Sequence, residues 1–207
     1  MAYPTQRPRT GVSSWRSTAS LHAVLPVFAL LALMWLVELV DVITPLNLDQ
    51  FGIRPRTEDG LPGVLLAPLL HVGFAHLIAN AGAFLVLGCA IAITTRMFWR
   101  VTLGVAVLGG LAVWLLAPGG TVVVGASGLV YGYATFLLAW GVFTARPVAI
   151  VVALVVAVVY GGLVYGVLPG QPGISWQGHL FGALAGVAVA WWLRERGRRQ
   201  RQVTSTY

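Results

Sequence analysis

The chain has 207 residues, of which 58% are hydrophobic and only 9% are charged. Soluble domains carry about 25% charged residues, so this composition excludes a water-soluble globular protein and indicates an integral membrane protein. The single cysteine, Cys89, excludes an intramolecular disulfide, and the net charge of +7 comes from 13 arginines and no lysine.

Six apolar runs have the length of about 20 residues that a helix needs to cross a bilayer. A polar, basic segment at residues 1–20 precedes the first run, and we expect it to be a flexible tail. The first run exceeds the roughly 7–15 apolar residues of a signal peptide, so we interpret it as a retained span. The runs cover residues 21–43, 71–95, 99–117, 126–144, 147–168 and 176–193. They predict one membrane domain over residues 21–195 and a basic tail over residues 196–207.

The arginines predict the orientation of these spans. If the N-terminus is cytoplasmic, 11 of the 13 arginines lie on the cytoplasmic side, and only Arg54 and Arg56 lie outside. Cytoplasmic segments of membrane proteins are enriched in arginine, so we expect both termini in the cytoplasm and the protein in the plasma membrane. The same enrichment accounts for the basic C-terminus, which we interpret as a patch near anionic lipid. Because this explanation is sufficient, we expect no nucleic-acid partner.

A small set of polar residues remains within the apolar runs. Polar side chains are costly inside a membrane and need a reason to be there. All of these begin the second, fourth or sixth run, which cross in the same direction, so they share the outer half of the membrane. They are His71, His76, Asn80, Ser127, Tyr131 and His179. This shared depth predicts a functional site.

The spacing of these residues supports such a site. His76 and Asn80 are four residues apart and therefore lie on one helix face, as do Ser127 and Tyr131. Small residues let membrane helices approach closely, and they surround Ser127 and His179 at Gly125, Gly128, Gly178, Gly182 and Gly186. If these glycine faces meet, His179 can reach Ser127 and remove the proton that keeps a serine hydroxyl a weak nucleophile.

Each feature also has a simpler interpretation. A serine among small residues often only packs, a single histidine often bonds a neighbouring helix, and Tyr131 alone would be a core or interface aromatic. His22 begins the first run and is expected at the interface. Glu38 and Asp41 lie near the outer end of that run, where they can reach headgroups, so we expect them to be solvated.

Three motifs resemble those of the rhomboid family of intramembrane serine proteases. HLIAN at 76–80, GASGLVYG at 125–132 and GHLFGALAG at 178–186 match HxxxN, GxSGxxYG and GHxxGxxxG, in this order on spans two, four and six. The GxSG element alone is common among hydrolases, but the three together are specific. The resemblance covers residues 21–195 and implies an all-α bundle of six transmembrane helices.

The resemblance implies a role for each matching residue. Ser127 matches the nucleophile, His179 the general base, and Tyr131 the aromatic residue that packs on the histidine. His76 and Asn80 match side chains that hold the oxyanion together with the Ser127 N–H. Gly128, Gly182 and Gly186 match close-packing glycines, and His71 matches a structural histidine.

The implied activity is hydrolysis of peptide bonds in transmembrane protein substrates. No carboxylate lies near Ser127 or His179 in the sequence, so we expect a dyad instead of a triad. No metal or organic cofactor is indicated, and the oligomeric state cannot be predicted. The first loop, Thr44 to Leu70, contains no tryptophan, whereas many family members carry a Trp-Arg pair there.

Two other classes of function remain open. A catalytically silent, rhomboid-like protein that binds membrane proteins would typically lack the serine or the histidine, and both are present. A transporter or channel would need charged residues along a path through the membrane, and none lies deep in spans two to six.

Overall fold

The computed structural model describes residues 14–204, with side-chain detail for residues 22–197. All regular elements within this range are helices, as the sequence predicts. The α-helices are α1 (Ser14–Ile43), α2 (Gly63–Leu66), α3 (Gly73–Thr95), α4 (Phe98–Leu116), α5 (Ser127–Thr144), α6 (Pro147–Tyr160) and α7 (Trp176–Thr204). Short 3-10 helices cover Leu48–Phe51, Glu58–Gly60, Ala67–Leu69 and Gly161–Val167. Residues 1–13 of the predicted tail lie outside the described residues. The rest of that segment, residues 14–20, belongs to α1.

Five helices of the described chain, rather than the predicted six, are long and apolar enough to span a membrane. The sixth predicted span, in α7, is not among them, because Gln177, His179 and three glycines reduce the apolarity of its first three turns. This helix packs against α4 and α5. A helix that neighbouring helices shield from lipid needs fewer apolar residues than one that faces lipid on all sides.

The fifth predicted span, residues 147–168, is not one continuous α-helix. The α-helix ends at Tyr160, and a 3-10 helix continues from Gly161 to Val167. Gly161 and Gly162 lie at the transition, where glycine costs about 1 kcal/mol relative to alanine in a helix. The carbonyl groups at the end of the 3-10 segment have no partner within a helix, and one of them contributes to the site described below.

The α5–α7 pair is in contact along its glycine faces. A Cβ atom on Gly182 would overlap the carbonyl oxygen of Gly128, and one on Gly186 would overlap that of Gly132. The approach is looser at Gly178, whose carbonyl oxygen would lie 3.5 Å from a Cβ on Gly128. The backbones of α5 and α7 can therefore approach this closely only because these positions lack side chains.

Glu38 is buried, so the prediction that it is solvated was wrong. Only 1% of Glu38 is exposed, and both carboxylate oxygens lack a hydrogen-bond partner among the described residues. The reason is that α1 packs along α3 with the face that carries Val27, Met34 and Glu38, all buried. The backbone N–H of Gly73, at the start of α3, lies near this carboxylate without a hydrogen bond of normal geometry.

Asp41 is only half-buried and accepts a hydrogen bond from the backbone N–H of Leu48. It lies close to Asp49 of the first loop. Burial, and then the charge of Asp41, raise the pKa of Asp49. Asp41 therefore fastens the chain where it leaves α1.

The close contact of α5 and α7 predicts the effect of added methyl groups. Gly186→Ala should destabilise the fold by about 1–3 kcal/mol, because the new Cβ has no space against Gly132. Gly82→Ala on α3 is the control, since a Cβ there would meet nothing within 4 Å. Thermal unfolding in detergent measures both variants. Equal midpoints for the two would contradict the contact.

Candidate active site

One cavity of about 800 Å³ gathers the predicted polar residues at one end of the bundle. Its walls include His76 and Asn80 from α3, Ser127 and Tyr131 from α5, and His179 from α7. The structure therefore brings together five of the six polar residues that share a predicted depth. The sixth, His71, lies behind the cavity wall and is 1% exposed.

Ser127 is the first residue of α5. The first N–H groups of a helix have no partner within the helix, and together they form the positive end of its dipole. Two residues earlier, Gly125 has a φ of +111°, a conformation that favours glycine. The turn at Gly125 thus presents both the hydroxyl and the backbone N–H of Ser127 at the start of a helix.

The first loop holds the segment that precedes Ser127. The backbones of Ile53 and Val123 exchange two hydrogen bonds of 2.9 Å, and the Gly125 N–H donates to the carbonyl of Ala67 over 2.9 Å. The Ala126 N–H donates to Nε2 of His71 over 3.2 Å. The backbones of three residues just before Ser127 are therefore fixed by residues of the first loop or next to it.

The loop is itself fastened to the end of α4, although it lacks a Trp-Arg pair. Arg56 donates to the carbonyls of Leu115 and Ala117 over 3.2 and 2.6 Å. Trp114 of α4 donates from its indole N–H to the carbonyl of Thr57 over 2.8 Å. Arg56 of the loop and Trp114 of α4 thus hold the loop in place. No local sequence motif indicates this pair.

His76 lies against Gly125. Its Nδ1 accepts a hydrogen bond from the Val72 N–H over 3.3 Å, so the neutral ring carries its proton on Nε2. A Cβ on Gly125 would lie 2.9 Å from that Nε2. Glycine at position 125 therefore leaves space for the His76 ring, and it does not contribute to the contact of α5 with α7 that the sequence predicted. Asn80, buried on the same helix face, donates to the carbonyl of His76 over 2.9 Å.

His179 is held from two sides. Its ring stacks on Tyr131 with centroids 4.1 Å apart and planes 11° apart. Its Nδ1 lies 2.9 Å from the carbonyl oxygen of Gly166. A carbonyl can only accept, so Nδ1 carries the proton and donates, and Nε2 remains unprotonated in the neutral ring.

Sequence reasoning missed Gly166, because a backbone carbonyl leaves no trace in a side-chain motif. The only signal was the Gly161-Gly162 pair, which marks a weak point in the helix. A Cβ on Gly166 would overlap the hydroxyl of Tyr131 and lie 3.1 Å from Nδ1 of His179. Glycine at this position therefore lets the 3-10 segment approach the stacked pair.

Ser127 and His179 face the same cavity without a direct bond. The described residues contain no hydrogen bond between the Ser127 hydroxyl and the His179 ring. Hydrogen bonds of this kind are often long in a ligand-free site and tighten only when substrate binds.

A family model for the rhomboid domain matches residues 60–196. The chain belongs to the rhomboid family. Uncharacterized proteins of Mycobacterium tuberculosis and Mycobacterium bovis are each 42% identical to this rhomboid over 211 residues, which cover 96% of its chain and 87% of theirs. An uncharacterized protein of Mycobacterium leprae is 42% identical over 185 residues, which cover 84% of this rhomboid and 73% of the relative. It is therefore a multi-pass membrane protein of a family of intramembrane proteases.

His71, which precedes α3, predicts a dependence of stability on pH. Burial, and then the charge of His76, lower the pKa of His71 from 6.5 to about 4. Between these values only the unfolded chain binds the proton, so stability falls as the pH drops from 6.5 to 4, by up to about 3 kcal/mol. Unfolding measured across this range should show a smaller slope for His71→Gln. His22→Gln, at an exposed histidine, is the control, and an unchanged slope in His71→Gln would contradict the assignment.

Gly166 predicts a matched pair of variants. Gly166→Ala should displace the ring of His179 and the proton on its Nδ1, because the new methyl group would overlap the Tyr131 hydroxyl and move the carbonyl to which Nδ1 donates. Gly162→Ala lies in the same 3-10 segment and meets nothing within 4 Å, so the ring should keep its wild-type environment. The side-chain ¹⁵N chemical shifts of His179 in one detergent preparation measure both variants, and equal changes would indicate an effect on the segment as a whole.

Proposed function

We propose that this rhomboid is an intramembrane serine endopeptidase with Ser127 as nucleophile and His179 as general base. The observation that carries the proposal is the position of His179. Its ring lines the cavity that holds Ser127 and is fixed by Tyr131 and by the Gly166 carbonyl, so that its basic Nε2 remains available. A base that a third group orients, on the same cavity as the serine, is one part of the arrangement that activates a serine nucleophile.

In the proposed reaction, Nε2 of His179 takes the proton of the Ser127 hydroxyl as Oγ attacks the substrate carbonyl carbon. The tetrahedral intermediate collapses, the C–N bond breaks, and the leaving amine receives the proton from His179. Water then attacks the acyl-serine, again with His179 as base, and Ser127 is regenerated. The Gly166 carbonyl has the orienting role of the carboxylate in a triad, and it carries no full charge.

The developing oxyanion has three candidate donors. The Ser127 N–H lies at the start of α5, and His76 carries its proton on Nε2 because Nδ1 accepts from Val72. Asn80 uses one amide N–H for the carbonyl of His76, which leaves a second one for substrate. Removal of one such donor costs about 100- to 1000-fold in other enzymes.

The proposed substrates are transmembrane proteins, cut near the outer face. A peptide bond inside a helix is hydrogen-bonded and sterically covered, so a segment that unwinds easily should be preferred. The arginine distribution supports a plasma-membrane protein with both termini in the cytoplasm. With that orientation, the cavity lies in the outer half of the membrane, where water for the second step has access.

The test uses variants of the full chain in detergent or proteoliposomes. Ser127→Ala should lose both cleavage of a model transmembrane substrate and labelling by a serine-directed fluorophosphonate probe. His179→Ala should lose cleavage by several orders of magnitude. Ser175→Ala is the matched control: Ser175 lines the same cavity, and its hydroxyl accepts from the Gly178 N–H over 3.3 Å. Its loss should cost about 1 kcal/mol of stability and leave cleavage in place.

Two results would overturn the proposal. Wild-type cleavage by either the Ser127 or the His179 variant would exclude the dyad. A folded wild-type protein that neither cleaves nor reacts with the probe would favour the catalytically silent membrane-protein binder instead.

A further inference from the structure

A second cavity, of about 210 Å³, lies at the other end of α5 and α7. Its walls come from the end of α5, the start of α6 and the last apolar turn of α7, and they share no residue with the cavity of Ser127. Helix α5 has 18 residues and is about 27 Å long, and the two cavities lie at its opposite ends. The proposed proteolysis does not use this cavity.

Arg194 is one of two arginines that line this cavity. The side chain is half-buried, with the guanidinium carbon 5.8 Å from the centre of the Phe143 ring. Its Nε atom is buried and has no hydrogen-bond acceptor among the described residues, so a molecule in the cavity does not reach it. The terminal nitrogens of the guanidinium are not buried in this way, and they are the donors that Arg194 offers to an acceptor in the cavity.

The charges of the cavity indicate an anion. Arg146, which directly precedes α6, contributes a second guanidinium, and no carboxylate is among the described side chains that line the cavity. Glu195 follows Arg194 in the chain but does not line it. Guanidinium groups are planar and always charged, and their paired N–H groups match the oxygens of a phosphate.

The surroundings of the cavity indicate a lipid. Val142 and Val148, on the adjoining helices, are 77% and 66% exposed, so apolar side chains that face the bilayer flank the cavity. Trp140 and Phe143 line it, and aromatic side chains are enriched at the level of the headgroups. A volume of 210 Å³ is below the 300–1,000 Å³ of a typical small-molecule pocket. It suits a headgroup phosphate whose acyl chains lie along the exposed valines.

We propose that this cavity binds the phosphate of an anionic phospholipid, with Arg194 and Arg146 as its ligands. The general enrichment of arginine at the cytoplasmic ends of spans explains a positive charge here. It does not explain a cavity between helices whose described lining brings two arginines together with Trp140 and Phe143 and includes no carboxylate. Basic pockets between membrane helices are known to hold anionic headgroups.

The experiment compares lipids that differ only in their headgroup. Full-length protein is prepared in nanodiscs of phosphatidylcholine with a minor fraction of phosphatidylglycerol of the same acyl chains, and retained lipid is counted by native mass spectrometry. The wild type should retain phosphatidylglycerol in preference to phosphatidylcholine. Arg146→Gln/Arg194→Gln should weaken that retention about tenfold or more, because bonds to charged groups are worth about 1.5–3 kcal/mol each.

Arg196→Gln is the matched control. Arg196 lies on the same helix and is exposed, with its guanidinium carbon 4.2 Å from the Trp192 ring, and it does not line the cavity. Its variant should retain phosphatidylglycerol like the wild type. An equal loss in both proteins would show a diffuse surface charge effect and overturn the site.

Two further arms keep the result decisive. If the double variant does not fold, Arg146→Gln alone replaces it, since Arg146 is exposed. This single variant should weaken the retention of phosphatidylglycerol severalfold. Unchanged retention would overturn the assignment. Inorganic phosphate is added as a competitor. Displacement of the lipid by equimolar phosphate would show a site for free phosphate and overturn the lipid assignment, whereas retention supports it.

Discussion

The close approach of α5 and α7 is the constraint on which the rest of the site depends. At Gly182 and Gly186 the backbone of α7 lies directly against carbonyl oxygens of α5, and Thr135 of α5 donates to the carbonyl of Ala183 over 2.7 Å. At this separation Tyr131 can stack on His179. A wider spacing would place the ring of His179 beyond the reach of Tyr131 and of the cavity that contains Ser127.

The second requirement is a fixed turn before Ser127. A helix start is held only weakly by its own hydrogen bonds, since its first N–H groups are unpaired. Here Val123, Gly125 and Ala126 are each bonded to residues between Ile53 and His71. The first loop is in turn fastened to α4 through Arg56 and Trp114. The loop thus supports the position of Ser127 through the backbone.

Sequence reasoning could predict the parts of this protein that side-chain patterns encode. Apolar runs predicted α3, α4 and α5 to within two residues, but missed the start of α1 and the ends of α6 and α7 by seven or more. The shared depth of the polar residues predicted one site, and five of them line one cavity. The burial of Glu38 was missed, although its spacing from Val27 and Met34 on one face of α1 was visible. The prediction that Glu38 is solvated relied on its place near the end of the span. Packing of α1 against α3 determines which face of α1 is exposed, so the position of Glu38 on that face was the better guide.

Other parts could not be read from the sequence, because backbone atoms carry them. The Gly166 carbonyl is available to His179 because the α-helix ends at Tyr160 and the 3-10 segment that follows ends at Val167, one residue after Gly166. In the proposed dyad, this backbone carbonyl is the acceptor that orients His179, in the place where a triad has a carboxylate.

The orientation of the His179 ring therefore depends on the position of α6 and of the 3-10 segment that continues it. Leu163 lines the cavity, and Gly166, three residues later, holds His179. The lipid-facing side of α6 is largely exposed, with Val155 and Val158 55% and 85% exposed, and α6 packs mainly on α5. Any displacement of the 3-10 segment away from α7 both widens the cavity and removes the acceptor from Nδ1. In this rhomboid, the proton of the neutral His179 ring is held on Nδ1 only while the 3-10 segment beside the cavity is in place.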